Sequence, residues 1–409
     1  MIEITDAEIK KAEKILLPKG CKFDEERISF IKDFQTCDLL AVPGSGKTTA
    51  LVAKLYCIAQ HLPLSDGSGI LVLSHTNAAV EEIEKKLKRH CPNLFKYPNF
   101  VGTIQSFVNK FLANPACLEM AGSYIKVNDD ESLLNESKKF YKLLSWKPNG
   151  ISQKKYLKNY LYFIVSPSKS KLTSTERNNA AVEFLNSLRF DFINEKIYKK
   201  GFEKVFCTNI RTNKSWSYYE KLKKWKLDLF NQGIVSFSES YDLTTWYLVF
   251  NNQVRKTLQY RFKYIFVDEA QDLDSNQLRI IDDVFYTSQL YPVIQRIGDV
   301  NQSIYSGILE KQGECVWQAC LRESKSQKIL NNSLRLTPQV AAIVDCLTHT
   351  NSINEGQDSF TFEVKGVHTL DKIIPPYLII YDEKSKNSLI ECFKNIIIDN
   401  DVHKAENAE

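Results

Sequence analysis

Long apolar runs are missing from this 409-residue chain. Its longest strings, Tyr160–Val165 and Tyr377–Tyr381, are strand-length and far short of the ~18 residues a membrane helix needs. A membrane-spanning role is therefore not expected. Glycine (15) and proline (12) are sparse, which excludes collagen-like and low-complexity chains. The 10 cysteines form no Cys-x-x-Cys pair, the nearest two being Cys315 and Cys320. Neither a disulfide framework nor a zinc cluster is expected, and the thiols read as those of a reduced, cytoplasmic protein. The opening MIEITDAEIKK starts acidic, unlike a secretory signal. What remains is an ordinary globular balance, 43% hydrophobic and 25% charged. At roughly 150 residues per domain there is room for two or three domains.

The net charge of +5 hides a segregation. Lys138–Lys226 carries 21 Lys and Arg against 6 Asp and Glu, whereas the whole chain has 54 against 49, so everything outside the block is net acidic. The same block holds 17 aromatics, among them Trp146, Tyr156, Tyr160, Tyr162, Trp216, Tyr218, Tyr219 and Trp225. Cations displace counterions from phosphates and rings stack on bases, so this composition suits nucleic acid. It equally suits a solvated basic helical subdomain whose rings form its own core.

Short apolar strands at Asp38–Val42, Gly69–Ser74, Phe100–Thr103, Tyr264–Val267 and Pro292–Ile297 alternate with helix-like segments. The pattern predicts an α/β fold, a parallel sheet with helices on both faces. The basic block interrupts the alternation and reads as a mostly helical insertion. A further run, Tyr377–Asp382, followed by helix-like Ser388–Ile398, reads as the opening of another α/β unit.

Two motifs carry chemistry. Ala41-Val42-Pro43-Gly44-Ser45-Gly46-Lys47-Thr48-Thr49 lies between a strand and a helix, where glycines let backbone N–H groups turn inward around phosphates. Lys47 would reach the β/γ-phosphates and Thr48 would hold Mg²⁺; Ala41 stands where the strict pattern has glycine. The bland alternative is a Gly-rich turn with an exposed lysine. Asp268 and Glu269 close the buried strand of YIFVDEAQD, a position beside the phosphate loop in open α/β sheets. Asp268 can hold the Mg²⁺ shell and Glu269 can orient and deprotonate water, although strand-end carboxylates are often plain helix caps.

In order, AVPGSGKT, HTNAAVEEI (75–83), GTIQSF (102–107), VDEAQD (267–272), GDVNQSIY (298–305) and SLRLTP (333–338) resemble the successive motifs of UvrD/Rep/PcrA-type superfamily-one DNA helicases. The resemblance covers roughly residues 20–345. It implies a RecA-like P-loop motor domain, using ATP and Mg²⁺ and acting on DNA, with the basic block as its helical insertion. Motor domain 1A would occupy 1–120 and 231–345, the DNA-binding insertion 121–230, and an incomplete start of a second RecA-like domain 346–409. Gln302 would sense the γ-phosphate, and Arg335 would act as an arginine finger; a surface ion pair is its plain alternative. Arg27 falls where the family places its adenine-reading glutamine. His75, Thr76, Asn77, Thr103, Gln105 and Tyr305 would lie along the DNA track, helix capping or core packing being the alternatives, and Lys221, Lys223 and Lys224 would meet phosphates.

The departures bear on function. Both adenine-reading positions differ, Arg27 for glutamine and Leu334 for a stacking tyrosine, so discrimination between ATP and GTP is expected to be modest. His75, Gln105, Gly307 and Ile308 replace residues that usually grip single-stranded DNA. The expected function is a DNA-dependent NTPase coupling hydrolysis to translocation or unwinding in repair or anti-phage defence. The alternative is a DNA-end or single-strand sensor that switches a partner nuclease. The HTNAAVEEI and GTIQSFVNKFL wording also looks like helicases beside overcoming-lysogenisation-defect (OLD-type) Toprim nucleases, as in Gabija defence, implying such a nuclease as partner. The late motifs of a second motor domain are not found after Arg335, so the chain is not expected to unwind DNA alone.

Overall fold

The computed structural model describes residues 2–145, 161, 173–199, 213–286, 292–303, 317, 326–347, 363–368, 377, 379–380, 382 and 386–400. Six parallel strands form the central sheet: β1 (Cys37–Ala41), β2 (Gly69–Ser74), β3 (Phe100–Thr103), β8 (Phe262–Val267), β9 (Val293–Gly298) and β10 (Gln327–Leu330), in the order β10-β1-β9-β8-β2-β3. A strand exposes alternate side chains to opposite faces, and the core divides accordingly. Leu39, Ala41, Ile70, Val72, Tyr264 and Phe266 pack under the helices Asp6–Leu16, Glu25–Lys32, Lys47–Ala59 and Asn77–Leu87. Leu40, Leu71, Leu73, Ile265 and Val267 join the opposite core with Phe107, Tyr241, Leu258 and Ile281. Burial on both faces is why these strands read as continuous apolar runs.

β9 is the exception, since Gln295 and Arg296 sit buried within it. Gln295 accepts from the buried Lys54 ammonium at 2.7 Å, which also donates to Phe30 O at 2.8 Å. Arg296 donates to Asp38 on β1 at 2.6 Å, and Asp38 also accepts from Trp317. Buried charges persist only when partnered, and these partners lie on neighbouring elements.

The chain leaves and rejoins the six-stranded unit through a neck in which β4 (Val127–Asn128) pairs in parallel with β7 (Ile234–Val235). The excursion has its own core. The helices Asp130–Ser145, Ser174–Ser187 and Asn213–Asn231 and the hairpin β5 (Arg189–Asp191)–β6 (Lys196–Tyr198) gather Leu133, Phe184, Phe190, Phe192, Tyr219, Leu222, Trp225 and Phe230. Trp225 stacks on Phe140 at 4.6 Å, and the Tyr219 hydroxyl accepts from Ile197 N. Tyr219 and Trp225 are therefore packing residues, the second of the two readings for these rings; Trp146, Tyr156, Tyr160 and Tyr162 lie outside the described residues, as do the side chains of Trp216 and Tyr218. Lys226, at the end of the basic block, is likewise internal, being 3% exposed and ion-paired with Glu239 at 2.6 Å.

Just before Arg335, β11 (Asn332–Ser333) pairs with β12 (Lys365–Gly366); the helices Pro338–Leu347 and Leu389–Asp399 come after Arg335. The strand expected at Tyr377–Asp382 is not formed by its described residues. A strand needs a neighbour to receive its backbone hydrogen bonds, and the described residues offer it none. The helix Leu389–Asp399 buries none of its side chains, leaving Ile390, Phe393 and Ile398 exposed.

Candidate nucleotide site

The phosphate loop emerges from β1 at the carboxyl edge of the sheet and ends in the helix Lys47–Ala59. Gly44 and Gly46 both have left-handed backbones, with φ of +74° and +73°. Only glycine takes that conformation without steric cost, so the positions of the two glycines follow from the shape of the loop. Ala41 and Val42 are buried in the sheet, and Thr48 and Thr49 open the helix half-buried. The Ala41 substitution falls at the last strand residue, where a Cβ fits the core.

The loop's carbonyls face outward and each has a partner. Ser333 Oγ donates to Pro43 O at 2.7 Å and Leu334 N to Gly44 O at 2.9 Å, while Arg27 Nε donates to Ser45 O at 2.9 Å. A trans peptide sets its N–H opposite its carbonyl, so holding Pro43 O and Ser45 O from one side turns the Gly44 and Gly46 N–H groups to the other, while Ser45 N bonds Val42 O at 3.1 Å. That polarity, together with the N-terminus of a 13-residue helix, suits an anion.

Opposite the loop, Asp268 and Glu269 follow β8. Lys47 Nζ lies 3.1 Å from Glu269 Oε2. Glu269 has a left-handed backbone (φ +53°), unusual for a residue with a Cβ. Gln271, to which the motif pattern assigns no role, fixes it: Nε2 donates to Glu269 Oε2 at 2.7 Å while Oε1 accepts from Asp299 N at 3.0 Å. Asp299 stands at the end of β9 and caps the turn Val300–Gln302. Asp268 and Asp299 are both buried, and each keeps one carboxylate oxygen (Oδ2) without a hydrogen-bond partner. Burial pushes Asp268 up to about 7 and Asp299 to about 6, the neighbouring Glu269 charge adding to both.

Those orphaned oxygens are the test of whether a divalent cation fits. Three carboxylates surround one lysine, and an unpaired buried carboxylate is costly, so a cation between Asp268 and the Thr48 hydroxyl would relieve the imbalance. Among the described residues no group of three or more His, Cys, Asp or Glu could hold a metal alone. Mg²⁺ takes one or two carboxylates and completes its shell with phosphates and water.

The other expected residues sit as follows. Gln302 is exposed in the turn after β9, and Arg335 is exposed just beyond the loop, its Cβ 2.5 Å from where a Cβ on Gly44 would stand. Arg27 meets the phosphate loop from its carbonyl side. It is 2% exposed, and its guanidinium binds Asp24, Ser45 O and Asn332 O (2.8 Å to the last). At the position where the family resemblance places its adenine-reading glutamine, the guanidinium is therefore engaged by the protein itself. Thr76 and Thr103 open the helices after β2 and β3 as N-caps, accepting from Ala79 N and Ser106 N. His75 is half-buried and Asn77 exposed beside them. Gln105 commits both amide hydrogens internally, to Asn109 Oδ1 (2.9 Å) and Ser240 Oγ (3.0 Å), so it links helices instead of facing outward. Lys221 and Lys223 are half-buried and Lys224 is exposed on the insertion helix. Tyr305 lies outside the described residues.

The UvrD/REP helicase N-terminal domain family matches residues 24–306. This chain belongs to that family. Among its relatives, a DNA helicase II homologue of Mycoplasma capricolum is 24% identical over 337 residues, 80% of this chain and 41% of the relative. The ATP-dependent DNA helicase Rep of Buchnera aphidicola from Schizaphis graminum is 23% identical over 270 residues, covering 66% and 35%. This UvrD/REP-family chain thus spans well under two thirds of those relatives. No helix among the described residues is long and apolar enough to cross a membrane.

Proposed function

We infer that this chain carries the nucleotide-hydrolysing site of a DNA-dependent NTPase. The observation that carries the reading is the facing pair Lys47–Glu269 beside a buried, half-satisfied Asp268, set between an N–H-lined loop and a capped turn. In this reading loop N–H groups and Lys47 bind the β- and γ-phosphates of ATP. Asp268 and Thr48 would hold Mg²⁺, which would supply positive charge to offset that of the phosphates. Glu269, aimed by Gln271, accepts the proton of the attacking water. Gln302 and Arg335 meet the γ-phosphate from the strand-end turn and the segment after β11. DNA lies against the exposed ends of β2 and β3 at Thr76, Asn77 and Thr103 and along Lys221, Lys223 and Lys224. Free thiols from Cys21 to Cys392, seven among the described residues, suit a reducing cytoplasm.

Hydrolysis and nucleotide binding, with and without single-stranded DNA, test the reading. Lys47→Ala should lose nucleotide affinity, whereas Glu269→Gln should keep affinity and lose turnover. Wild-type turnover in Glu269→Gln would overturn the assignment. DNA-stimulated hydrolysis without strand displacement would favour the sensor role, and dependence on an OLD-type nuclease would tie that role to defence.

A further inference from the structure

We propose that Arg27 is a positioning residue that clamps the phosphate loop to the Asn332–Arg335 segment, and that the site consequently leaves the nucleotide base unread at this position. The helix Glu25–Lys32 is capped by Asp24, whose Oδ1 accepts Arg27 N at 3.0 Å. The Arg27 side chain turns inward from this first turn and is 3% exposed. Its Nη1 pairs with Asp24, its Nε and Nη2 converge on Ser45 O, and Nη2 also meets Asn332 O. Two neighbouring bonds close the same junction: Asn332 Nδ2 donates to Asp24 Oδ2 at 3.2 Å, and Asn331 N to Glu26 Oε2 at 3.1 Å.

A planar guanidinium presents its donors in a fixed fork. Three edges of that fork are oriented toward protein acceptors, so the side chain cannot also turn to a base edge without breaking a buried charge-assisted bond. Nor does the segment it holds supply a ring: Leu334, with Cδ1 3.7 Å from the Cβ position of Gly46, offers an aliphatic surface. Aliphatic contact does not distinguish one base from another, because discrimination requires polar groups left unpaired by the wrong partner. What the clamp does fix is the path from Ser45 to Arg335. Ser45 O and Asn332 O are held by one guanidinium, and Leu334 N then bonds Gly44 O one step before Arg335.

The proposal rests on the nucleotide-site reading, and the experiment separates the two. The full chain and its Arg27→Lys variant are compared by hydrogen exchange at the Leu334 amide and by hydrolysis of ATP, GTP, CTP and UTP. Wild-type kcat/KM should lie within about tenfold across the four. Lysine keeps the charge but cannot span two carbonyls and a carboxylate. The Leu334 amide should therefore exchange about tenfold or more faster, and kcat should fall by a similar factor for every nucleotide. Arg27→Ala should lose more, the lysine giving partial rescue. A loss confined to one base, a wild-type preference for ATP far above tenfold, or unchanged Leu334 protection would each overturn the clamp. If neither protein hydrolyses any nucleotide, the NTPase reading fails while the exchange measurement still decides the clamp. Asp24→Asn, which keeps one oxygen for the helix cap and removes the acceptor shared by the guanidinium and Asn332 Nδ2, gives the same exchange readout if Arg27→Lys does not fold.

Discussion

Gly44→Ala separates two costs that the phosphate loop normally avoids. The first is conformational: at φ +74° an L-residue carries a penalty of ~1–2 kcal/mol. The second is steric. A Cβ on Gly44 would stand 2.5 Å from Arg335 Cβ, 2.9 Å from Ser333 Oγ and 3.5 Å from Arg335 N. Neither a Cβ nor a backbone nitrogen can swing aside as a side-chain tip would, so the 333–335 segment must move as a piece, at roughly 1–3 kcal/mol. The total is about 2–5 kcal/mol, a large share of a domain's net stability. Gly67 supplies an internal control. It has nearly the same φ, +71°, with nothing within 4 Å of its Cβ position. Gly67→Ala should therefore show the conformational cost alone, ~1–2 kcal/mol. Denaturant unfolding of the two variants against wild type measures the difference, and hydrogen exchange at Leu334 locates it. Equal destabilisation by the two substitutions, with Leu334 protection intact in Gly44→Ala, would refute the claim that Arg335 is packed against the loop.

Two further outcomes follow from the insertion. Removing either member of the buried Lys226–Glu239 pair, as Lys226→Met or Glu239→Leu, should destabilise by ~3–5 kcal/mol in thermal or denaturant melts, because the other charge is left unpaired in the core. The double variant should recover the charge-imbalance part but not the bonds that Phe190 N and Ser236 N make to Glu239; additive destabilisation would show that the two charges are not coupled. Replacing Lys221, Lys223 and Lys224 together by glutamine should weaken DNA binding for all sequences and lower the salt slope by up to ~0.7 for each single-strand phosphate no longer neutralised. An unchanged slope would assign this face to something other than DNA.

How much of this was legible in the sequence depends on how far apart the interacting residues lie. The strands and the phosphate loop are local patterns: an apolar run, then glycines at fixed offsets, then a helix. Their periodicity states which face is buried, so alternation alone assigns Leu39 and Leu40 to opposite cores. The YIFVDEAQD strand marks Asp268 and Glu269 by the same reasoning. Gln271 lies inside that motif, but its role depends on Asp299, which the sheet order brings close and the chain order does not. The insertion shows a different limit. Composition counts Lys226 among the DNA-seeking cations and Trp225 among the stacking rings, yet one is paired inside the core and the other lies face to face with Phe140. A helical segment of mixed lysine and aromatic residues buries one face and exposes the other. Total counts cannot separate them, although the spacing of Tyr219, Leu222, Trp225, Leu229 and Phe230 marks the buried stripe.

The junction at Arg27 also bears on where the arginine finger comes from. Pro43, Gly44 and Ser45 present three consecutive carbonyls, and every one accepts from Ser333, Leu334 or Arg27, across about 290 residues of chain in the first two cases. Carbonyls pointing outward require N–H groups pointing inward at these turns, so the same bonds that hold the 333–335 segment also set the polarity of the anion site. Arg335 is consequently tied to the first sheet through β10, which pairs with β1 and feeds directly into β11. In the proposed mechanism its cation is supplied from the rim of the motor domain that holds the phosphate loop. It does not wait for another domain to close. The Ser45–Arg27–Asn332 bridge joins the loop that precedes Lys47 to the segment that carries Arg335.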